Sequence, residues 1–537
     1  MKYEVNVLLV SILCATFVLV SYSSTGFVFN NAYGVISNSF EVEQIVNIVD
    51  DCIISSCNNI NVAQSLATAI NSNNVGNLDV GSVVENSAKV EQELLQENEC
   101  ALAICANIAL DQSEAAVVDI SNIGNLFVDS EVSNSAEIEQ DIKQQNACLL
   151  ALCANVGLVQ DQIGVIEIAN IGNLVIDSEV TNSAELEQEI EQENECGLAI
   201  CANVALAQLQ TGAAVISNIG NLIDPSQVSN SAELEQEIEQ ENECTNVFAC
   251  ANVGLVQLQT GAAAVTNIGN LIEDSEVTNS AELEQEIEQG NECSESLACA
   301  NVGLVQSQIG AATVTNEEDI FGNDIFDSEV SNSAELEQEI EQENECSDVF
   351  ACANIGLAQS QIGAAAVTNV DDFIVDSEVS NSAELEQEIE QQNECTDSLA
   401  CANFGGLQSQ IGAATVTNLI DSTGNEIFDG SEVTNSAQLE QEIEQGNECT
   451  DSLACANIAG VQSQIGAAAV TNVDNFIEDS EVTNSAQLEQ EIEQGNDCDT
   501  ALCANIAGVQ SQTGAAAVTN AFNSISGHDV INSAEVE

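Results

Sequence analysis

Two residue types recur at spacings that could do chemistry. The first is cysteine, which occurs 21 times. After Cys14 the others fall into close pairs: Cys52/Cys57, Cys100/Cys105, Cys148/Cys153, Cys196/Cys201, Cys244/Cys250, Cys293/Cys299, Cys346/Cys352, Cys395/Cys401, Cys449/Cys455 and Cys498/Cys503. Four or five residues separate the partners, always at the same point of a recurring segment. Cysteines so placed either form disulfides or bind zinc. Zinc takes four ligands in a tetrahedron, and the one histidine, His528, stands far from nearly all of these pairs. Local disulfides are therefore expected for all ten pairs, each worth about 2 kcal/mol through the short loop it closes.

The second is glutamate. From Ala184 to Cys196 every second residue is Glu: Glu185, Glu187, Glu189, Glu191, Glu193 and Glu195. The chain repeats the pattern one period later, at Glu233, Glu235, Glu237 and Glu239. Hard cations take oxygen ligands, and Ca²⁺ accepts them in loose geometry. Glu185, Glu187, Glu189, Glu191, Glu233, Glu235, Glu237 and Glu239 are thus a candidate cation-binding face, with Ca²⁺ the one cofactor suggested. The competing readings are a solvated anionic coat that binds ions diffusely, and adaptation to an acidic habitat. Asp319/Asp324/Asp327 and Asp371/Asp372/Asp376 are lesser acidic clusters, read as polar loop or additional cation positions. No combination of nucleophile, base and acid stands apart from the repeated pattern, so an enzyme is not expected.

The charge balance narrows the partners. Three Lys and no Arg stand against 89 acidic residues, a formal net charge of −86. Nucleic acids and anionic membrane surfaces are polyanions and are repelled. There is no Trp, and all three Tyr (Tyr3, Tyr22, Tyr33) lie at the N-terminus, so stacking platforms for sugars and bases are missing from the rest. Cations, and other copies of the chain itself meeting end to end or side by side, remain as partners.

These residues are positioned by a repeat. An Asn-Ser pair opens the Glu segment at Asn38, Asn86, Asn134, Asn182, Asn230, Asn279, Asn332, Asn381, Asn435 and Asn484, and again at Asn532. The period averages about 49 residues, and the length variation sits in one connector. Each unit runs from the Glu segment through the cysteine loop to a second segment, such as Ala202 to Asn218, and then to an acidic connector. The organisation expected is a capping repeat over 35–85, nine tandem acidic repeats over 86–531, and the start of an eleventh over 532–537. The short last segment, Ile531 to Glu537, would offer a strand edge for end-to-end assembly.

The composition of the Glu segment favours helix, since Ala, Leu, Gln and Glu are good helix formers. Its period of two, sustained over thirteen residues, is that of a half-buried strand. Wound as a helix, the Glu would form like-charge i,i+4 pairs with almost no Lys to relieve them. An all-β fold is expected: a β-solenoid of about ten two-strand units, or alternatively a long antiparallel hairpin meander. The second segment, mild on both faces, is expected to pack on both sides.

The inward residues of every unit include Gln and Asn at fixed places, which stacked layers would join into amide ladders. With Gln208-Leu209-Gln210-Thr211-Gly212 and the Asn-Ser-Ala openings, the repeat resembles the curlin-type repeats of bacterial extracellular fibres. It differs in a period about twice as long and in its cysteines. The resemblance implies a stacked β fold and an extracellular fibre.

Stacking also sets a cost. Unit charges about 4.8 Å apart repel by roughly 0.9 kcal/mol in water before salt screening, and six Glu columns multiply that figure. Protons, salt or divalent cations must offset it. Lys89 and Lys143 fall on the Glu face, where they relieve it locally.

At the N-terminus, Val5 to Val20 is a mostly apolar run behind Lys2, short for a membrane span and suited to a secretory signal. Residues 1–34 are read as that signal, with cleavage near Val35. The protein is therefore expected to be secreted to the cell surface or matrix as structural, fibre-forming material. The alternatives are a cation- or mineral-interacting surface protein, or an adhesin stalk.

Overall fold

The alternation of Glu with Ala, Leu, Gln, Ile and Asn is realised as a strand of 19 residues, Glu179–Gly197 in one unit. The computed structural model describes residues 15–27, 31–32 and 35–536 apart from connecting stretches of one to six residues. Side chains are described from Asn38 onward, with gaps at 46–65, 73–82, 99–105, 108–111 and in most connectors. Every described element is a strand, and no helix is long and apolar enough to cross a membrane.

One unit contributes four strands to one layer: Glu179–Gly197, Ile200–Ala205, Gln208–Ile219 and Leu222–Asp224. From the next unit on, the middle two fuse into one strand, as in Ala249–Ile268. The last, short strand lies in the connector and had no sequence signature beyond two or three apolar residues.

Strands pair with their own copies in the neighbouring layers, in parallel and in register. Glu179–Gly197 pairs so with Gln227–Thr245, Asn182 opposite Asn230 and Cys196 opposite Cys244. The Glu strands form one 11-stranded sheet, and the remaining columns join into a second of 24 strands. The fold is thus a parallel β-solenoid of regular, disulfide-bearing units. The antiparallel meander is excluded, because every pairing among the described residues is parallel, for example Gln208–Ile219 with its copies on both sides.

The two sheets face each other across a thin core. The Glu strand buries Ala184, Leu186, Gln188, Ile190, Gln192 and Asn194. The opposite sheet answers with Gln208, Gln210, Ala214 and Ile216. The second segment was expected to pack on both sides; its outer face is instead open. Its burial alternates along Gln160–Ile171, and Ile163, Ile309, Ile362 and Ile411 stand exposed. Apart from Asp119, Asp161 and Glu167 in the early layers and Glu317 later, little charge marks that face, so composition alone reads as two-sided burial.

The buried amides are satisfied by translation. Asn182 Nδ2 donates to Asn230 Oδ1 at 2.7 Å, and the same bond repeats from Asn38 up to Asn532. Gln236 Nε2 donates the other way, to Gln188 Oε1 of the preceding layer at 2.8 Å. The columns through Asn182, Asn194, Asn203 and Asn218 all donate toward later layers. Those through Gln188, Gln192, Gln208 and Gln210 all donate toward earlier ones. Four columns oppose four, so the aligned amide dipoles cancel along the rod.

At its two rims the coil is closed by side chains. Asn203 Nδ2 reaches the backbone oxygens of Gln192 (2.6 Å) and Glu241 (2.8 Å) beside the cysteines. At the far rim Asn170 donates to Asn182 across the sheets at 2.9 Å. Turns use left-handed acidic or amide residues, such as Asp177 (φ 49°) and Asp348 (φ 57°), the types that tolerate that region. Residues Ala15–Phe27, inside the stretch read as a signal, pair in parallel with Ala63–Val75.

Candidate cation-binding face

The Glu columns follow directly from the register. Glu185, Glu187, Glu189 and Glu191 stand opposite Glu233, Glu235, Glu237 and Glu239, and these opposite Glu282, Glu284, Glu286 and Glu288. With strands about 4.8 Å apart, each carboxylate has like-charged neighbours above, below and two residues along. The eight candidate residues are brought onto one face, in two adjacent layers.

The face responds by holding protons. Burial, followed by the neighbouring Glu288 and Glu191 carboxylates, pushes Glu239 up to about 8. Glu341 rises to about 8 for the same reasons, next to Glu288 and Glu390. Burial with Glu284 and Glu187 raises Glu235 to about 7. Glu286, Glu388 and Glu390 also reach about 7. Glu185, Glu187 and Glu237 are shifted in the same direction, burial first and adjoining Glu second. Both glutamates raised to about 8 stand in one column, that of Glu191, with burial the first cause and the stacked carboxylates the second.

Lysine enters this ladder twice. Lys89 pairs with Glu137 and lies 3.5 Å from Glu139. Its ammonium is held above its ordinary range by the hydrogen bond to Glu137, against the opposing effect of burial. Lys143 contacts Glu189 at 2.8 Å, Glu191 at 2.9 Å and Asp141 at 3.5 Å. Burial disfavours its charge, but the bonds to Glu189 and Glu191 outweigh that and raise it. A cation placed between layers thus gathers carboxylates from two successive units, as Lys143 does.

Discrete metal geometry is a different matter. Among the described residues, the only trios of ligating atoms lying within 4.8 Å of one another are cysteines, such as Cys153, Cys196 and Cys201. No three carboxylates converge that closely. The face suits bridging of carboxylate pairs by mobile cations better than a closed Ca²⁺ cage of six to eight oxygens. The Asp319/Asp324/Asp327 and Asp371/Asp372/Asp376 clusters lie on side chains outside the described residues.

The cysteine trios are stacked disulfides. Bonds join Cys148–Cys153, Cys196–Cys201, Cys244–Cys250, Cys293–Cys299, Cys346–Cys352, Cys395–Cys401, Cys449–Cys455 and Cys498–Cys503. The first seven form one buried column at the rim of the coil, with Cys498–Cys503 at its more exposed end, and so many bonds of this kind belong to an oxidising, extracellular environment. The side chains of Cys52, Cys57, Cys100 and Cys105 lie outside the described residues. Their backbones stand in register with the column.

Two acidic residues were missed. Glu114 is fully buried in a position that is Gln in later layers, and Gln162 Nε2 lies 3.4 Å from its Oε2. Burial, then the nearby Asp141, drives its carboxyl well above the usual range. Asp141 is raised to about 8 by burial and Glu189, with Lys143 opposing. The signal was present in the sequence, since Gln112-Ser113-Glu114 stands where the following unit has Gln160-Asp161-Gln162. Comparison of the chain with protein families, with curated proteins and with solved structures finds no match in any of the three.

Proposed function

We propose that this chain is an exported structural protein of the cell surface or extracellular matrix, a disulfide-stapled rod that forms fibres and carries a polyanionic face. The observation that carries the reading is the unbroken layer register, in which one Asn column hydrogen-bonds from Asn38 to Asn532. Each layer offers its neighbour the same pairing surface, so a layer of a second copy meets what a layer of the same chain meets. Amide ladders and stacked disulfides confer stiffness and resistance, which a scaffold needs and a catalyst does not. The resemblance to curlin-type repeats points the same way.

A second reading, cation or mineral interaction, is favoured by the raised Glu columns. Stored repulsion of this kind is relieved by any divalent cation that bridges two layers. Negative-stain microscopy of the purified chain at neutral pH, in calcium and in chelator, tests both. Fibres in both conditions support a scaffold with a solvated coat. Fibres that disperse in chelator make bridging cations part of the assembly. Isolated rods in both remove the fibre reading.

A further inference from the structure

The face opposite the Glu ladder is as unusual as the ladder itself. In the strands Ile200–Ala205 and Gln208–Ile219, and at the matching positions of the six following layers, the one charged residue at an outward register position is Glu317, which pairs with Ile268 at the edge of the face. Outward columns over Gln208–Ile219 run Leu or Ser, Thr or Ile, Ala, a mixture of Val, Ala and Thr, and Ser or Thr. One column runs Thr260, Ile309, Ile362, Ile411, Ile465, and beside it runs Ala262, Ala311, Ala364, Ala413, Ala467. Ile309, Ile362 and Ile411 are each 41% exposed and Ile465 47%. Further charges stand in the earlier layers, with Asp119, Asp161 and Glu167.

Seven layers of about eleven residues make a plane of roughly 1,200 Å². Within it the Ile and Ala columns form a continuous apolar strip flanked by Ser and Thr hydroxyls. Joining two such planes removes about 2,400 Å² from water, more than the roughly 1,600 Å² of a standard stable interface.

We propose that this nearly uncharged face is a docking surface for a second copy of the chain, two rods pairing back to back with their Glu faces outward. Three observations select a second copy over other occupants. With a net charge of −86, two copies can approach closely only through the face that carries almost none of it over these seven layers. The ridges of this face repeat at the strand spacing, about 4.8 Å, and another copy supplies the same pitch over the same length. A two-fold axis between the Ile and Ala columns seats the isoleucines of one rod over the alanines of the other, a self-complementary contact.

The pairing rests on the structural reading above and deepens it by naming the partner. Its failure is separable, because folded single rods would leave end-to-end fibres untouched. The test is the solution mass of the full chain by sedimentation equilibrium, with far-UV circular dichroism to confirm folding. The wild type is expected at twice the single-chain mass, or at even multiples of it where paired rods also join end to end. The pair Ile362→Glu and Ile411→Glu should weaken association at least tenfold.

A gentler variant, Ile309→Thr with Ile362→Thr, Ile411→Thr and Ile465→Thr, uses a residue that the column already holds at Thr211, Thr260 and Thr513. It should weaken pairing with the fold intact. Glu339→Gln with Glu388→Gln, on the opposite face, should leave pairing unchanged. A wild type at single-chain mass at all concentrations overturns the proposal, as does pairing that survives both Ile variants. So does a single rod that sediments with insoluble cellulose or chitin, since a flat polymer is then the occupant.

Discussion

A Cβ added to Gly212 would stand 2.6 Å from Cδ1 of Leu234 in the next layer and 3.1 Å from Cδ2 of Leu186 in its own. The glycine is a socket for leucine, and the pair recurs as Gly261 with Leu283 (2.7 Å) and Gly363 with Leu385 (2.8 Å). The first layers vary both partners together. The glycine position holds Thr68 and Ala116, and the facing column holds Val42, Val90 and Ile138 in place of Leu186. A side chain with a Cβ is accepted where its partner is β-branched and reaches less far.

That exchange predicts a rescue. Gly363→Ala should cost about 1–3 kcal/mol, the usual range for overpacking a tight core. Adding Leu336→Val and Leu385→Val should recover part of that loss, although each Leu→Val change alone destabilises. Hydrogen exchange of the flanking layers reads the effect locally, which suits a repeat array better than one global transition. Equal, purely additive losses in the triple variant would refute the socket.

The Glu face predicts that the rod is more stable in mild acid. Carboxylates such as Glu239 and Glu341 sit at about 8 in the fold against an ordinary value of 4.5. Between those values the folded state binds more protons than the unfolded one. Stability therefore falls as pH rises through that window, and below about 4.5 the difference in bound protons vanishes. Thermal midpoints measured from pH 4.5 to 8.5 should decline, and Glu239→Gln with Glu341→Gln should flatten the slope. A midpoint that rises with pH contradicts the repulsive ladder.

Much of this was legible beforehand. Glu at every second position from Glu185 to Glu195 fixed strand over helix, and Cys196/Cys201 at a constant offset fixed the staple. Parallel against antiparallel stacking was not legible, because a period of two is the same in both. Nor was the Gly212–Leu234 contact, whose partners lie in different sheets and different units. The open outer face escaped because Ala, Thr and Ile without charge read equally well as a buried strand. For the cation face, sequence placed the columns, while the protons they hold depend on burial that only the fold reveals.

The staples predict a graded loss. Replacing Cys346 and Cys352 together by Ser opens one loop of the buried column and should cost about 2 kcal/mol. The parallel register should persist, because the amide columns through Gln342 and Asn344 bond from layer to layer without the sulfur, although Cys352 Sγ touches Asn393 of the second column at 3.6 Å. Retained far-UV β signal with a lowered denaturation midpoint is the expected pair of results. Loss of all β signal would mean that the disulfides, not the ladders, hold the layers.

Among the described side chains of the amide columns one is acidic, and changing it should help the protein. Glu114 occupies a Gln position, fully buried, with Oε1 lacking a hydrogen-bond partner among the described residues. Only in its neutral form does it suit that site, so the layers around it weaken as pH rises and the carboxyl is forced to ionise. Glu114→Gln restores the amide that Gln162, Gln210 and Gln259 carry in the same column. Hydrogen exchange in Gln112–Ile123 and Gln160–Ile171 should then slow at pH 8 and change little at pH 5. Asp141 and Glu93, the acidic groups acting on Glu114 from the Glu sheet, keep their own titration, so the gain should be local to these layers. Faster exchange in the variant would mean that the buried carboxyl is a required bond and not a misfit in the column.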